Sequence, residues 1–143
     1  MRTLAVVGAG PKGLAIAAKA RALAEAGADV PRVVLIERGE VASNWTGEAG
    51  YTNGLLPLGT APEKDVGYPY PQSWGALTPR INAAMARFSW QTFLIERGSY
   101  ADWVDRGRLS PTHRQWSAYL RAVAAACRAD IVRGEVTGLE TAA

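Results

Sequence analysis

The sequence holds few of the residues that build disulfides or metal centres. It has one cysteine, Cys127, and one histidine, His113, among 143 residues. A single cysteine excludes an internal disulfide framework and suits a reducing compartment, so we expect a cytoplasmic protein. Clustered Cys and His ligands for a metal are also lacking. Cys127 lies in an alanine-rich helical pattern that predicts buried packing, and His113 is predicted at the surface near the start of a helix.

Long apolar runs and strong charge are also lacking. No apolar run approaches the roughly 20 residues that span a bilayer. The first 20 residues resemble a signal peptide superficially, but glycines, a proline and a lysine interrupt them, which indicates a structural segment. The formal net charge is +3, and the arginines are scattered. The sequence therefore predicts neither a membrane nor a nucleic acid as partner.

The beginning of the chain has the pattern of a strand, a helix and a second strand. Residues 3–7 form a short apolar run that a glycine ends, and residues 32–37 form another. Between them, Pro11 is placed at a helix start and Gly27 at the helix end, where each residue type is favoured. Such a unit predicts two parallel strands joined by a right-handed crossover.

The motif G-x-G-x-x-G connects the first predicted strand to the helix, as GAGPKG at residues 8–13. In this motif Gly8 permits a tight turn, Gly10 lets the backbone approach a pyrophosphate, and Gly13 lets the helix pack closely. Glu37 ends the second strand, where an acid binds the adenosine ribose. An acid rather than an arginine there argues against a 2′-phosphate, which favours FAD or NAD. The alternative is a glycine-rich turn without a ligand.

The rest of the chain predicts an α/β fold with a partly parallel sheet and a helical insertion. A βαβ nucleotide unit over 1–38 is followed by an irregular segment over 39–80. Helical patterns occupy 81–128, and a returning strand is predicted within 129–143. The strongest helix begins near Pro111, and Ser110 is its predicted N-cap.

Two stretches resemble one enzyme family. NWTGEAGYTNGLLPLGTAPEKDVGYPY and FSWQTFLIERGSYADWVDRGRLSPTHRQWSAYLRAVA are similar to the mycobactin-type lysine Nε-hydroxylases. These are flavin-dependent N-hydroxylating monooxygenases that make siderophore hydroxamates. The resemblance implies FAD on the first glycine motif and NADPH on a later Rossmann-like region. It also implies that a C4a-hydroperoxyflavin, formed with O₂, oxidises the side-chain amine of L-lysine.

The resemblance assigns roles to individual residues. It implies that Gly8, Gly10, Pro11, Gly13 and Glu37 bind FAD. It also places Trp45 near the flavin, the Val136 backbone at the adenine, and Lys64 on the substrate carboxylate. The alternatives are a core role for Trp45 and a solvated surface position for Lys64. For Asp65, beside Lys64, we expect a structural role.

The resemblance leaves the substrate and the completeness of the enzyme open. Thr46 and Gly59 stand where the ornithine branch has histidine and glutamine, which favours lysine over ornithine or another primary amine. No second glycine motif follows, and family members are far longer. We therefore expect the FAD-binding portion of a longer enzyme, without the NADPH domain and the C-terminal FAD and substrate segment. This portion would be completed by the rest of the enzyme, by a complementing chain or by a homo-oligomer. A non-catalytic nucleotide-binding fragment or subunit is the alternative.

Overall fold

Three parallel strands form the sheet in the computed structural model, which describes residues 2–67 and 73–141. They are β1 (Thr3–Val7), β2 (Arg32–Glu37) and β3 (Asp130–Arg133), in the order β1-β2-β3. Both neighbouring pairs are parallel, and Leu35 of β2 is aligned with Val6 and Ile131. The predicted α/β fold is confirmed. The last strand is short, because only four residues of 129–143 pair with β2.

Five α-helices and three 3₁₀ turns connect and cover these strands within the described residues. The helices are α1 (Pro11–Glu25), α2 (Thr78–Ala86), α3 (Trp90–Glu96), α4 (Tyr100–Asp105) and α5 (His113–Ala126). The 3₁₀ turns are Ser43–Trp45, Pro62–Lys64 and Gly75–Leu77. Helix α1 begins at the predicted proline, and Gly27 follows its end with a φ of +93°, which favours glycine.

Helix α5 begins later than the sequence pattern predicted. Its N-cap is Thr112, whose hydroxyl accepts a hydrogen bond from the Gln115 N–H, while the Gln115 side chain accepts one from the Thr112 N–H. This capping box satisfies two amides at once. The predicted Ser110 cap is therefore wrong, and Pro111 lies outside the helix. The Pro111 carbonyl instead accepts a hydrogen bond from the Leu58 N–H at 2.8 Å.

The core lies between one face of the sheet and helices α1 and α5. Leu35 at the centre of the sheet is fully buried, as are Leu14 and Ala18 of α1 and Leu120 of α5. Trp90 and Trp116 are buried, and both rings pack against the Tyr119 ring. Cys127 is buried as predicted, and burial raises the pKa of its thiol, which makes it unreactive.

The opposite face of the sheet is apolar and bare within the described residues. Because side chains alternate between faces along a strand, Val7, Ile36 and Val132 point away from the core. Val7 is 69% exposed and Val132 50% exposed. Parallel sheets normally bury both faces. In this chain, one face leaves apolar side chains exposed among the described residues.

Candidate nucleotide-binding site

A cleft of about 600 Å³ opens where the glycine loop, the end of β2, the turn Ser43–Trp45 and the segment after β3 meet. The carboxyl ends of parallel strands are the usual ligand-binding edge of such sheets, and the volume suits a small-molecule site. All seven predicted cofactor residues line this cleft: Gly8, Gly10, Pro11, Gly13, Glu37, Trp45 and Val136. The structure thus brings together residues that are up to 128 positions apart in the chain, from Gly8 to Val136.

The three glycines of the motif lie in different environments. Gly8 has a φ of +98°, which L-residues with side chains rarely adopt. A Cβ added to Gly13 would lie 2.2 Å from the Gly8 carbonyl oxygen, so only glycine lets α1 approach the loop this closely. A Cβ on Gly10 would meet no heavy atom within 4 Å. Gly8 and Gly13 are therefore required by the fold, whereas Gly10 keeps the cleft open at the position where a pyrophosphate would lie.

The N-terminus of α1 is available to an anion. Gly10 is the N-cap, so no side chain caps the helix there. Pro11 is the first helical residue and has no N–H, and no acidic side chain lies in the first turn. The uncapped first turn and the helix dipole together favour a bound phosphate group. This geometry and the open space beside Gly10 fit the pyrophosphate of FAD.

The Glu37 carboxylate links β2 to the glycine loop. Its Oε2 accepts a hydrogen bond from the Ala9 N–H, and its Oε1 accepts one from the Gly39 N–H, both at 2.8 Å. Each carboxylate oxygen has two lone pairs, so Glu37 keeps acceptor capacity toward a ribose hydroxyl in the cleft. The sequence predicted the ribose contact but not this second function of holding the loop in place.

Trp45 occupies a wall of the cleft and also packs partly against the core. The core interpretation is met in part, and a contact of Trp45 with a flavin stays a prediction. The His113 ring meets the Trp45 ring edge-on, at 4.9 Å between centroids. His113 is half-buried rather than at the surface as predicted, because α5 begins at this residue and its first turn packs beneath Trp45. Its Nδ1 is buried without a hydrogen-bond partner among the described residues.

The segment after β3 closes the cleft beside Glu37. The Gly134 N–H donates to the Glu37 carbonyl at 3.0 Å, which continues the pairing of β2 with β3 and places Val136 in the cleft. At the rim, Arg38 and Glu135 form an exposed ion pair at 3.6 Å. The polar and charged lining residues that sequence reasoning missed are Lys12, Arg38, Ser43, Asn44 and Glu135. Lys12 was detectable, since it lies inside the motif.

Lys64, the predicted substrate residue, lies elsewhere. It ends the 3₁₀ turn Pro62–Lys64, in which Pro62 is buried and Lys64 is exposed. Lys64 lines neither the cleft nor a second cavity of about 490 Å³ between α3, α4 and α5. Tyr68 and Tyr70, which lie in the same irregular segment over 39–80, are outside the described residues. The structure therefore does not bring Lys64 together with the seven cofactor residues, and its role stays a prediction.

The segment that carries Lys64 is fixed from its inner side. The buried Tyr119 hydroxyl donates to the Phe88 carbonyl at 2.7 Å and accepts from the Val66 N–H at 3.1 Å. Burial, and secondly the nearby Asp65 charge, raises the pKa of Tyr119 far above its ordinary value. The Asp65 Oδ2 accepts from the Trp90 N–H at 3.0 Å at the start of α3. The contact is consistent with the structural role expected for Asp65.

The described part of the chain lacks the features of two other kinds of site. None of its helices has both the length and the apolar character needed to cross a membrane. Nor does it contain three or more His, Cys, Asp or Glu side chains grouped so that they could hold a metal ion.

Comparison with known proteins confirms the resemblance found in the sequence. The chain is 51% identical over 138 residues to the L-lysine N6-monooxygenase MbtG of Mycobacterium sp. strain MCS, and 52% identical over 143 residues to that of Mycolicibacterium paratuberculosis. These matches cover 94% and 97% of this chain. No family model matches the chain. The chain spans about a third of the length of these curated relatives, 31% and 33%.

Two solved structures are similar in fold to this chain. The lysine monooxygenase NbtG from Nocardia farcinica superposes with a TM-score of 0.89 at 49% identity, over 94% of this chain and 34% of that protein. The ornithine N-hydroxylase KtzI of Kutzneria sp. 744, solved with reduced FAD, NADP⁺ and L-ornithine, has a TM-score of 0.60 over 92% of this chain. At 20% identity that second likeness shows the fold alone.

Proposed function

We propose that this chain is the FAD-binding part of an NADPH- and O₂-dependent monooxygenase that hydroxylates the side-chain amine of L-lysine for siderophore hydroxamate synthesis. One observation carries the proposal: seven residues chosen from the sequence for binding FAD line one cleft at the carboxyl edge of the sheet. The homology to L-lysine N6-monooxygenases supports it over almost the whole chain.

Different residues of the cleft would bind different parts of the cofactor. The glycine loop and the first turn of α1 would hold the pyrophosphate, because open space and uncapped amides meet there. Glu37 would accept hydrogen bonds from the adenosine ribose, and the backbone at Val136 would meet the adenine. Trp45 would lie toward the flavin. A flavin that is bound there and reduced by NADPH would use O₂ to hydroxylate the substrate amine.

L-Lysine is the substrate that the comparisons favour. The curated relatives at 51–52% identity are named for L-lysine, whereas the ornithine N-hydroxylase is 20% identical. We infer that the exposed Lys64 ammonium pairs with the carboxylate of the amino acid, since charge-assisted contacts of this kind are strong and directional. The Tyr119 hydroxyl holds the chain two residues further on, where it accepts a hydrogen bond from the Val66 N–H. An L-ornithine or other primary-amine substrate is the alternative.

Catalysis requires more protein than these residues provide. The bare sheet face with Val7 and Val132 has to be covered, and the cleft has to be shielded from water for oxygen transfer. We infer that the remainder of the enzyme or a complementing chain supplies this layer, in the cytoplasm. The same exposed surface favours a second candidate function, a nucleotide-binding subunit that acts only by association. A homo-oligomer is a third way to cover the face.

A chimera tests the proposed function. This chain would replace the matching segment of the MbtG protein of Mycobacterium tuberculosis, to which it is 51% identical over 141 residues. We expect the purified chimera to be yellow and to oxidise NADPH faster with L-lysine than with L-ornithine, with hydroxylated lysine as product. A chimera that folds and binds FAD but shows no response to either amine would favour the non-catalytic subunit. Faster turnover with L-ornithine would reverse the assignment of the substrate.

A further inference from the structure

We propose that Lys12 is a cofactor-binding residue whose ammonium group supplies positive charge to the pyrophosphate of the bound dinucleotide. This inference rests on the proposed function, since it assumes that the cleft takes FAD. The glycine motif accounts only for the backbone of the site, and Lys12 would add a charged side chain to it. The ligand class is an adenine dinucleotide or another nucleoside diphosphate.

The position of Lys12 supports this role. Lys12 is the second residue of α1, between Pro11 and Gly13, and it lines the cleft. Its side chain is exposed and makes no ion pair or hydrogen bond with any other described residue. The ammonium is therefore free to move onto an anion that lies against the first turn of the helix.

The charge balance of the cleft gives Lys12 a specific function. Two cations and two carboxylates line it, namely Lys12, Arg38, Glu37 and Glu135. Arg38 is engaged with Glu135 at 3.6 Å. Without Lys12 the remaining groups would present a net negative charge to a pyrophosphate that is itself negative. Lys12 therefore neutralises the cleft and offers an ammonium group for a charge-assisted hydrogen bond to a phosphate oxygen.

A structural reason for a lysine at this position is lacking. The N-terminal end of a helix carries partial positive charge, so a cation in the first turn is unfavourable and an acid is favoured. Helix α1 has no acidic residue in its first turn, and Lys12 contacts no carboxylate in the described structure. A bound anion would reverse the sign of this effect, because it would interact favourably with both the helix end and Lys12.

The experiment compares two lysine variants of the 143-residue chain. Lys12→Ala removes the charge in the cleft, and Lys19→Ala removes the same charge from the same helix about 10 Å further along its axis. Lys19 does not line the cleft and lies over the Trp74 ring. Calorimetry would measure the affinity of each variant and of the wild type for FAD, ADP and adenosine, at low and high salt.

We expect Lys12→Ala to weaken binding of FAD and ADP about five- to tenfold at low salt, which corresponds to one charge-assisted contact. Adenosine has no phosphate, so its affinity should not change. The loss should shrink at high salt because the ammonium is exposed. Lys12→Arg should restore most of the affinity, and Lys19→Ala should behave as the wild type. The melting temperature of ligand-free Lys12→Ala should not fall.

Two results would overturn the inference and leave the proposed function standing. One is an unchanged affinity of Lys12→Ala for ADP while the wild type binds it. The other is an equal loss for ADP and adenosine, which would indicate a distorted glycine loop instead of a lost charge. A wild-type chain that binds neither FAD nor ADP would instead remove the proposed function, and the role of Lys12 with it.

Discussion

The cleft at the glycine loop and the segment that carries Lys64 are completed to different degrees. The cleft has walls from four parts of the sequence, which backbone hydrogen bonds join to one another. Examples are Ala42 N–H to the Ala9 carbonyl and Gly134 N–H to the Glu37 carbonyl, and the Glu37 carboxylate adds a bond from the Ala9 N–H. Lys64 is exposed and lines neither the cleft nor the second cavity.

This difference separates two kinds of recognition. A pyrophosphate is bound mainly by backbone amides and a helix end, so one βαβ unit with a third strand supplies almost everything. An amino acid is recognised by side chains that converge from several directions, and Lys64 is the one such side chain proposed in this chain. Changes in the cleft should therefore alter nucleotide binding by this chain alone. Changes at Lys64 should act only in an assembled enzyme.

Gly13→Ala should have the largest effect, because the new Cβ would lie 2.2 Å from the Gly8 carbonyl oxygen. The backbone of the loop or of α1 has to move, and we expect a loss of about 3 kcal/mol in the free energy of unfolding. Thermal unfolding followed by circular dichroism should show a melting temperature lower by roughly 10 °C. Gly134→Ala is the matched control, since its Cβ would meet nothing within 4 Å. A stable Gly13→Ala variant would contradict the close packing of loop and helix.

Gly10→Ala should leave the fold intact and impair binding. Its φ of −86° suits alanine, and no atom lies near the new methyl group, so we expect stability to change by less than about 1 kcal/mol. The methyl group would occupy the space of the pyrophosphate, so the affinity for ADP should fall by at least about tenfold, or 1.4 kcal/mol. Calorimetry with ADP measures this. Equal affinity for ADP would show that the pyrophosphate lies elsewhere.

Tyr119→Phe should destabilise the segment that carries Lys64 without changing the affinity for ADP. The Val66 N–H and the Phe88 carbonyl would be left buried and unpaired, at a cost of about 1–3 kcal/mol in urea unfolding. Because the pKa of the tyrosine is raised in the folded state, its contribution is fully present below about pH 10, the unfolded value. The stability difference between wild type and variant should therefore be constant up to about pH 9 and shrink above pH 10. A weaker affinity for ADP would mean that the two regions are coupled.

Lys64→Ala should have the smallest effect on this chain. The side chain is exposed, so stability should change by less than about 0.5 kcal/mol, and the affinity for ADP should stay the same. In the chimera, the same substitution should raise the KM for L-lysine by about tenfold or more, with unchanged FAD content. Glu63→Ala, at the exposed neighbouring position, is the control. Unchanged kinetics would identify Lys64 as a solvated surface lysine.

The strands and the first helix were predictable because local signals determine them. The strands Thr3–Val7 and Arg32–Glu37 were predicted with the bounds that the structure shows, since each is an apolar run with glycine or charge at its ends. The start of α5 was missed, although the spacing of Thr112 and Gln115 has the form of a capping box. Pro111, which immediately precedes Thr112, favoured an earlier helix start. The reciprocal hydrogen bonds of Thr112 and Gln115 fix the start at His113 instead.

The cleft was predictable in its residues but not in its long-range contacts. The motif and the family resemblance together named Gly8, Gly10, Glu37, Trp45 and Val136, which converge in the structure. No local pattern indicates that His113 would pack against Trp45, or that Glu135 would pair with Arg38. These contacts depend on where α5 and β3 return to the sheet. The outward position of Lys64 also depends on tertiary packing around Tyr119.

The most direct measurement is a titration of the purified 143-residue chain with FAD, followed by flavin fluorescence and visible absorbance. We predict saturable binding of one FAD per chain that ADP displaces, because the residues assigned to the ADP half of the cofactor line the described cleft. A folded chain that stays colourless, with no saturable signal and no competition by ADP, would contradict the account.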